Sequence, residues 1–272
     1  MSAQGGAVRS GLGSLPTPAL VCIGLLVALL IIGFVDRIVA DHDWLFIVAE
    51  LVHTLGIVIL VYKVQVQNTC AGISRKSQEL FAIFLGVRLY CSLVMEKDMH
   101  TVIDLFTLAA TGFVLVSLSA KHRHSYSAEF DAFNNLFIIV PAALLALVVH
   151  PGTNHFLLNR ILWAFCVYIE AVAVLPQLLM MQKMKVVEAL TANYVFALGV
   201  SRFISCLHWI IFMYRFGIKE FIGAPSQRKE AAPLWMLIVL LSEIVQTGIL
   251  ADFCYLYILS ARRGETLMRL PV

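Results

Sequence analysis

Eight long apolar runs dominate the chain, at approximately 19–35, 44–65, 78–95, 100–119, 134–150, 156–181, 193–214 and 234–260. Each is close to the roughly 20 residues that carry a helix across the hydrocarbon core of a bilayer, and far longer than the ten or so of a barrel strand. Hydrocarbon offers no water to backbone N–H and C=O groups, so only helices or closed barrels can span it. The fold class is therefore an all-α polytopic membrane protein. Composition agrees: 60% of residues are apolar and 14% charged, beyond the roughly half-apolar usage of soluble domains.

The first run follows a tail with one basic residue, Arg9, and has two readings, a signal peptide or a retained helix. It is long for a signal core, and no small-x-small cleavage site precedes Asp36, so retention is expected. The run at 134–150 is at the short limit. With the N-terminus cytosolic, eleven basic residues of the short segments fall on the cytosolic side, among them Lys63, Arg75, Lys76, Lys121, Lys183, Lys185, Arg262 and Arg263. Six fall opposite, four of them (Arg215, Lys219, Arg228 and Lys229) in one longer loop. That bias puts both termini in the cytosol. The expected organisation is a tail and extra helix over 1–43, a seven-helix bundle over 44–260 and a cytosolic tail over 261–272.

Charge at bilayer depth costs several kcal/mol unless it is paired or faces a polar cavity. Here Glu50, His53, Arg88, Asp104, Arg160, Glu170, Arg202, His208, Glu243 and Asp252 all lie within apolar runs. On the sixth run Arg160, Trp163, Val167 and Glu170 follow i, i+3, i+7, i+10 spacing, one helical face. On the seventh, Arg202, Ser205 and Trp209 share a stripe beside His208. If these stripes meet Arg88 and His53, the bundle encloses a cationic cavity, and paired guanidiniums suit a carboxylate through their two-pronged fork. The alternative is that the charges pair across helices to fix packing; Glu50 and Glu243, near run ends, read as packing or interfacial groups. Pro176 predicts a kink late in the sixth run, because proline removes a helical hydrogen bond.

Other chemistries find no support. Five cysteines (Cys22, Cys91, Cys166, Cys206 and Cys254) sit inside apolar runs as small buried hydrophobes, and Cys70 lies in a loop, with no zinc spacing or disulfide framework. No metal, cofactor or nucleic-acid partner is expected. Without a nucleophile–base pair or phosphate loop, no enzyme is expected either.

Several segments carry a specific resemblance. The loop after the second run reads Cys-Ala-Gly-Ile-Ser-Arg-Lys-Ser-Gln from Cys70 to Gln78, the sixth run has Ile-Leu-Trp from Ile161 and Glu-Ala-Val-Ala-Val-Leu-Pro-Gln from Glu170 to Gln177, and the last has Val-Gln-Thr from Val245 and Asp-Phe-Cys-Tyr-Leu-Tyr from Asp252 to Tyr257. In order and at nearly the same spacing, these resemble the KDEL receptor family over about residues 44–272. The resemblance implies seven helices in two three-helix repeats around a linking helix, similar to PQ-loop and sugar-exporter folds. The extra first helix is similar to that of a plant-type, receptor-related branch.

By that resemblance the chain is a receptor in the Golgi and endoplasmic reticulum membranes. It would capture C-terminal Lys-Asp-Glu-Leu-type signals of luminal proteins, with vesicle coat proteins as cytosolic partners. The matching positions imply that Arg88, Arg202, Glu170, Trp163 and Trp209 line the ligand site, that His53 senses pH, and that Asp252 serves retrograde transport. Five positions depart from the family pattern: Phe46 and Phe212 stand for arginines, Cys91 for an aspartate, Ser201 for a tyrosine and Arg160 for a cavity glutamate. The expected cavity has thus lost acidic partners for a peptide lysine, and the tail from Ser260 to Val272 has arginines but no lysine pair. A small-solute carrier and a ligand-free trafficking scaffold are the competing readings, separable by transport assays and by substitution of Arg88 and Arg202.

Overall fold

A computed structural model describes residues 43–95, 99–214, 233–264 and 267–270. The first apolar run and the loop holding Arg215, Lys219, Arg228 and Lys229 lie outside the described residues. The rest is helical: α1 (Asp43–Gln67), α2 (Arg75–Met95), α3 (Met99–Val116), α4 (Leu136–Val148), α5 (Leu157–Glu170), α6 (Leu175–Met184), α7 (Ala189–Phe212) and α8 (Pro233–Arg262). A short π turn, Ser117–Lys121, extends α3. Six spans are long and apolar enough to cross a membrane, with α5 and α6 counted as one. Each agrees with a sequence-based run to within a few residues. α4, with Pro141 inside it, is the shorter apolar helix.

α1 packs against α3 and α7, α2 against α3 and α5, α4 against α5, and α8 against α7. The core these contacts enclose is mostly aliphatic, with Phe81, Phe84, Tyr168, Tyr194, Trp235 and Phe253 among its large rings. Leu51, Leu55, Val102, Leu144, Phe203 and Leu241 point outward, as apolar side chains do when the outer face meets lipid. Where α7 meets α8, Gly199 admits the other helix so closely that a Cβ there would collide with Cys254 Sγ.

The sixth run is not one continuous helix. It breaks into a turn over 171–174, and Pro176 enters the first turn of α6, where its missing N–H is harmless. The Ser77 hydroxyl of α2 fills the break: it donates to Ala173 O at 2.8 Å and accepts from Gln177 N–H at 2.9 Å. It thereby stands between the two partners of what would be a helical hydrogen bond. A hydroxyl inserted into the ladder is a recognised cause of a kink, and here it acts together with the proline.

The Gln177 side chain then ties down the loop between α1 and α2. It accepts from Ser74 N–H and donates to Gly72 O, both at 2.8 Å. Gly72, at φ 75°, makes a turn in the left-handed region that favours glycine. Ser74 caps α2 by accepting from Ser77 N–H at 3.1 Å. Its hydroxyl donates to Asp131 at 2.7 Å, and Asp131 also accepts from Lys76 N–H and Tyr126. A carboxylate there also suits the positive end of the α2 dipole. Lys63, fully buried, gives its ammonium to Ala71 O, Thr191 Oγ1 and Glu188 within 2.8 Å. Two three-residue strands, β1 (Val186–Glu188) and β2 (Leu267–Arg269), pair antiparallel at the same end and bury Met268.

Candidate functional site

Halfway along the bundle the intramembrane charges meet. α1 supplies Glu50 and His53, three residues apart and so on one face. α2 supplies Arg88, α3 Asp104, α5 its last residue Glu170, and α7 Arg202. Glu170 is held there because α5 stops at the break before α6.

Arg88 is gripped from three helices. Its Nε and Nη2 donate to the two Asp104 oxygens at 2.9 and 2.5 Å, Nη2 also reaches Glu50 at 2.5 Å, and Nη1 reaches Glu170 at 3.1 Å. The Phe84 ring lies 5.5 Å from the guanidinium carbon. Glu170 joins this cluster to Arg202, whose Nη1 is 2.7 Å away. Arg202 Nη2 donates to His53 Nδ1 at 2.9 Å. Because a guanidinium only donates, Nδ1 is the acceptor and carries no proton, which assigns neutral His53 its hydrogen on Nε2. That buried Nε2 has no hydrogen-bond partner among the described residues. Glu243 of α8 is buried too, and its Oε2 likewise lacks one.

The electrostatics differ from the sequence-based expectation of a cationic cavity. Two guanidiniums meet three carboxylates, Glu50, Asp104 and Glu170, and a fourth, Glu243, is buried on α8. Helical stripes show which side chains share a face, not which neighbouring helix supplies the partners, and here α1 and α3 supply Glu50 and Asp104 to Arg88. Glu50 is an inner member of the network rather than an interfacial group. The space beside it is small: His53, Phe81, Glu170, Arg202 and Gln246 contribute to a cavity of about 10 Å³, roughly room for one water.

The other sequence-based site residues are dispersed. Trp163 packs half-buried on the core. Arg160, on the same helical stripe, is spent locally, donating to Pro151 O at 2.5 Å and to His150 Nδ1 at 3.1 Å, so it does not enter the network. Trp209 belongs to a ring cluster toward the ends of α1 and α7: it lies 5.6 Å from His208 and 5.3 Å from Phe212, while Phe46 lies 4.8 Å from His100 and 5.5 Å from His208. Asp252 is exposed on α8 toward the opposite end, lining a cavity of about 60 Å³ with Gln182 and Leu270.

Two features escaped the sequence reading. Lys63, inside the second run, is a structural cation whose buried position was legible from the run itself. Ser77 has no periodic signal, and only its register against Ala173 and Gln177 gives it a role.

Comparison with known proteins bears on this arrangement directly. The family profile described as ER lumen protein retaining receptor matches residues 69–212, which hold the capped loop, Arg88, Asp104, Glu170 and Arg202. The ER lumen protein-retaining receptor erd-2.2 of Caenorhabditis elegans is 36% identical over 226 residues, covering 82% of this chain and 97% of that protein. The ER lumen protein-retaining receptor of Drosophila melanogaster is 32% identical over 219 residues, 80% of this chain and 94% of that protein. ER lumen protein-retaining receptor 2 of Danio rerio is 33% identical over 220 residues, with the same coverage of each chain. This polytopic chain belongs to the ER lumen protein-retaining receptor family.

Proposed function

We propose that the protein is a retrieval receptor: it binds C-terminal signals of luminal proteins in the Golgi, returns them to the endoplasmic reticulum, and meets vesicle coat proteins at its cytosolic end. The observation that carries this reading is the Arg88–Glu170–Arg202–His53 chain at mid-bilayer in a member of a family of retaining receptors. Arg88, Arg202, Glu170, Trp163 and Trp209 are assigned to ligand binding, His53 to pH sensing and Asp252 to trafficking.

The geometry supports a mechanism. In this structure Arg88 and Arg202 are both engaged internally, so a peptide carboxylate must compete for them. A proton on His53 Nδ1 abolishes the acceptor that Arg202 uses, and places two cations side by side. Arg202 must then turn away, keeping Glu170 and freeing Nη2 for an anion. An incoming carboxylate offsets the added charge, so proton and ligand favour each other's binding, as linkage requires. The groups around His53 are Arg202 from α7, Glu170 from α5, Glu50 one turn back on α1, Phe81 and Phe84 from α2 and Gln246 from α8. Arg202 is the cation in direct contact with His53, and Arg88 of α2 is a second cation close enough to act on it electrostatically.

The test is a binding panel of peptides that differ in their last four residues, with purified protein at about pH 5.5 and about pH 7.5, values that bracket the ordinary histidine range. Binding of a luminal-type C-terminus at the lower pH supports the receptor reading. Binding of none at either pH overturns it, and leaves the carrier or scaffold readings.

A further inference from the structure

Positive charge gathers at the loop end of the bundle, where the span made by α5 and α6 closes at Met184 and α8 closes at Arg262. Lys183 stands in the last turn of α6, Lys185 caps that helix in the left-handed region at φ 62°, and Arg262 ends α8 with Arg263 directly after it. Strand pairing adds a further cation. β2 returns from α8 antiparallel to β1 and sets Arg269 opposite Val186, while Leu270 N–H donates to Lys185 O at 3.0 Å. All of these basic side chains are exposed, and none is in an ion pair among the described residues. The neighbouring carboxylate, Glu188, is taken by Lys63, and Glu265 of the tail lies outside the described residues.

The helix dipole gives Lys183 and Arg262 a reason to stand in last turns, but it gives none to Arg269 on a strand. The strands also carry a second, independent signal. Side chains alternate between the two faces of a strand, and the facing pair Val187 and Met268 is buried, so Val186, Leu267 and Arg269 share the outer face. On that face Val186 is 43% and Leu267 50% exposed, among the cations. Only Lys185 separates α6 from β1, so this face begins where a membrane-spanning helix ends. Apolar side chains mixed with cations at that level have the make-up of a surface lying at the boundary of headgroups and acyl chains. There the apolar groups enter the acyl edge, and long basic side chains reach out to phosphates.

We propose that the outer face of β1 and β2 is a seat for an anionic phospholipid of the cytosolic leaflet. Arg262, Arg263 and Arg269 grip headgroup phosphate oxygens through their two-pronged forks, Lys183 and Lys185 add point charges, and Val186 and Leu267 meet the acyl chains at their edge. The cytosolic leaflet is the anionic one, and each juxtamembrane cation there adds roughly fivefold to affinity. The proposal rests on the cytosolic orientation expected for this end from the basic residues, and is independent of the peptide site. A lipid so held ties the tail after α8 to the connection between α6 and α7, and makes that attachment sensitive to the composition of the leaflet.

The test is native mass spectrometry of the full chain in detergent, titrated with a phosphatidylinositol monophosphate and, separately, with phosphatidylcholine of the same acyl chains. The parent is expected to bind the anionic lipid at least about tenfold more tightly than the neutral one. That preference should fall to roughly twofold when Arg262→Gln, Arg263→Gln and Arg269→Gln are combined. It should stay within about twofold of the parent when Lys121→Gln and Arg123→Gln are combined, since these exposed cations lie at the end of α3, outside the seat. Equal binding of the two lipids by the parent overturns the inference, and so does a preference that both variants keep or that both lose alike. The cations are then left to a cytosolic protein partner. The comparison of lipids on the parent needs no variant to fold.

Discussion

Two polar networks in the bundle handle burial in opposite ways. At the loop end, Gln177, Ser77, Ser74, Asp131 and Lys63 each meet complementary partners at hydrogen-bond distance. Midway along the bundle, three carboxylates share two guanidiniums, Glu170 serves both, and His53 Nε2 and the Oε2 of the buried Glu243 are left over. A fully satisfied network specifies one arrangement; a shared and unbalanced one has alternatives close in energy, which a proton or a ligand can select. The difference teaches where the molecule is scaffold and where it can switch.

The largest effect that could break this comparison is expected at Arg88. Arg88→Met leaves Glu50, Asp104 and Glu170 without their shared cation, and stranding buried charge costs about 3–5 kcal/mol. Most of the protein should be lost from the folded, monodisperse fraction in detergent, with partial recovery when Asp104→Asn is added. A variant that unfolds like the parent means the network is not what holds the helices.

Next is Gln177→Ala, which orphans Ser74 N–H and Gly72 O at about 1–3 kcal/mol for each buried group. Thermal unfolding in detergent should move down equally at acidic and neutral pH, because no titrating partner is involved. A pH-dependent shift would mean the two networks are coupled rather than distinct. Gly199→Ala should follow at about 1–3 kcal/mol of overpacking, and Cys254→Ala in the same chain should restore most of the loss. The smallest effect is at Cys70, where burial pushes the thiol pKa up. With little thiolate at neutral pH, alkylation should be negligible in the folded protein and prompt after unfolding; prompt labelling of the folded protein would mean the loop opens.

The fold was legible because span length is a physical requirement of the bilayer, and every described run became helical near its expected bounds, the sixth as two helices. The break in the sixth run was legible only in part. Pro176 signals a kink, but the position of the turn at 171–174 depends on Ser77 reaching across from α2. The intramembrane charges were visible as exceptions to apolarity, and Glu170 and Arg202 are indeed drawn together. Which carboxylates would close on Arg88 was not visible, since that is decided by helices that neighbour in space and lie far apart in sequence. Arg160 illustrates the same limit: it shares a stripe with Glu170, yet a nearby carbonyl and His150 claim it.

The central claim is that Arg202 is released when His53 takes a proton. The most direct measurement is the affinity of the parent and of His53→Gln for one Lys-Asp-Glu-Leu-ended peptide at about pH 5.5 and about pH 7.5. The glutamine carbonyl can keep accepting from Arg202 at any pH, so the account predicts acid-favoured binding by the parent and weak, pH-independent binding by the variant. Equal acid preference in both proteins would contradict it.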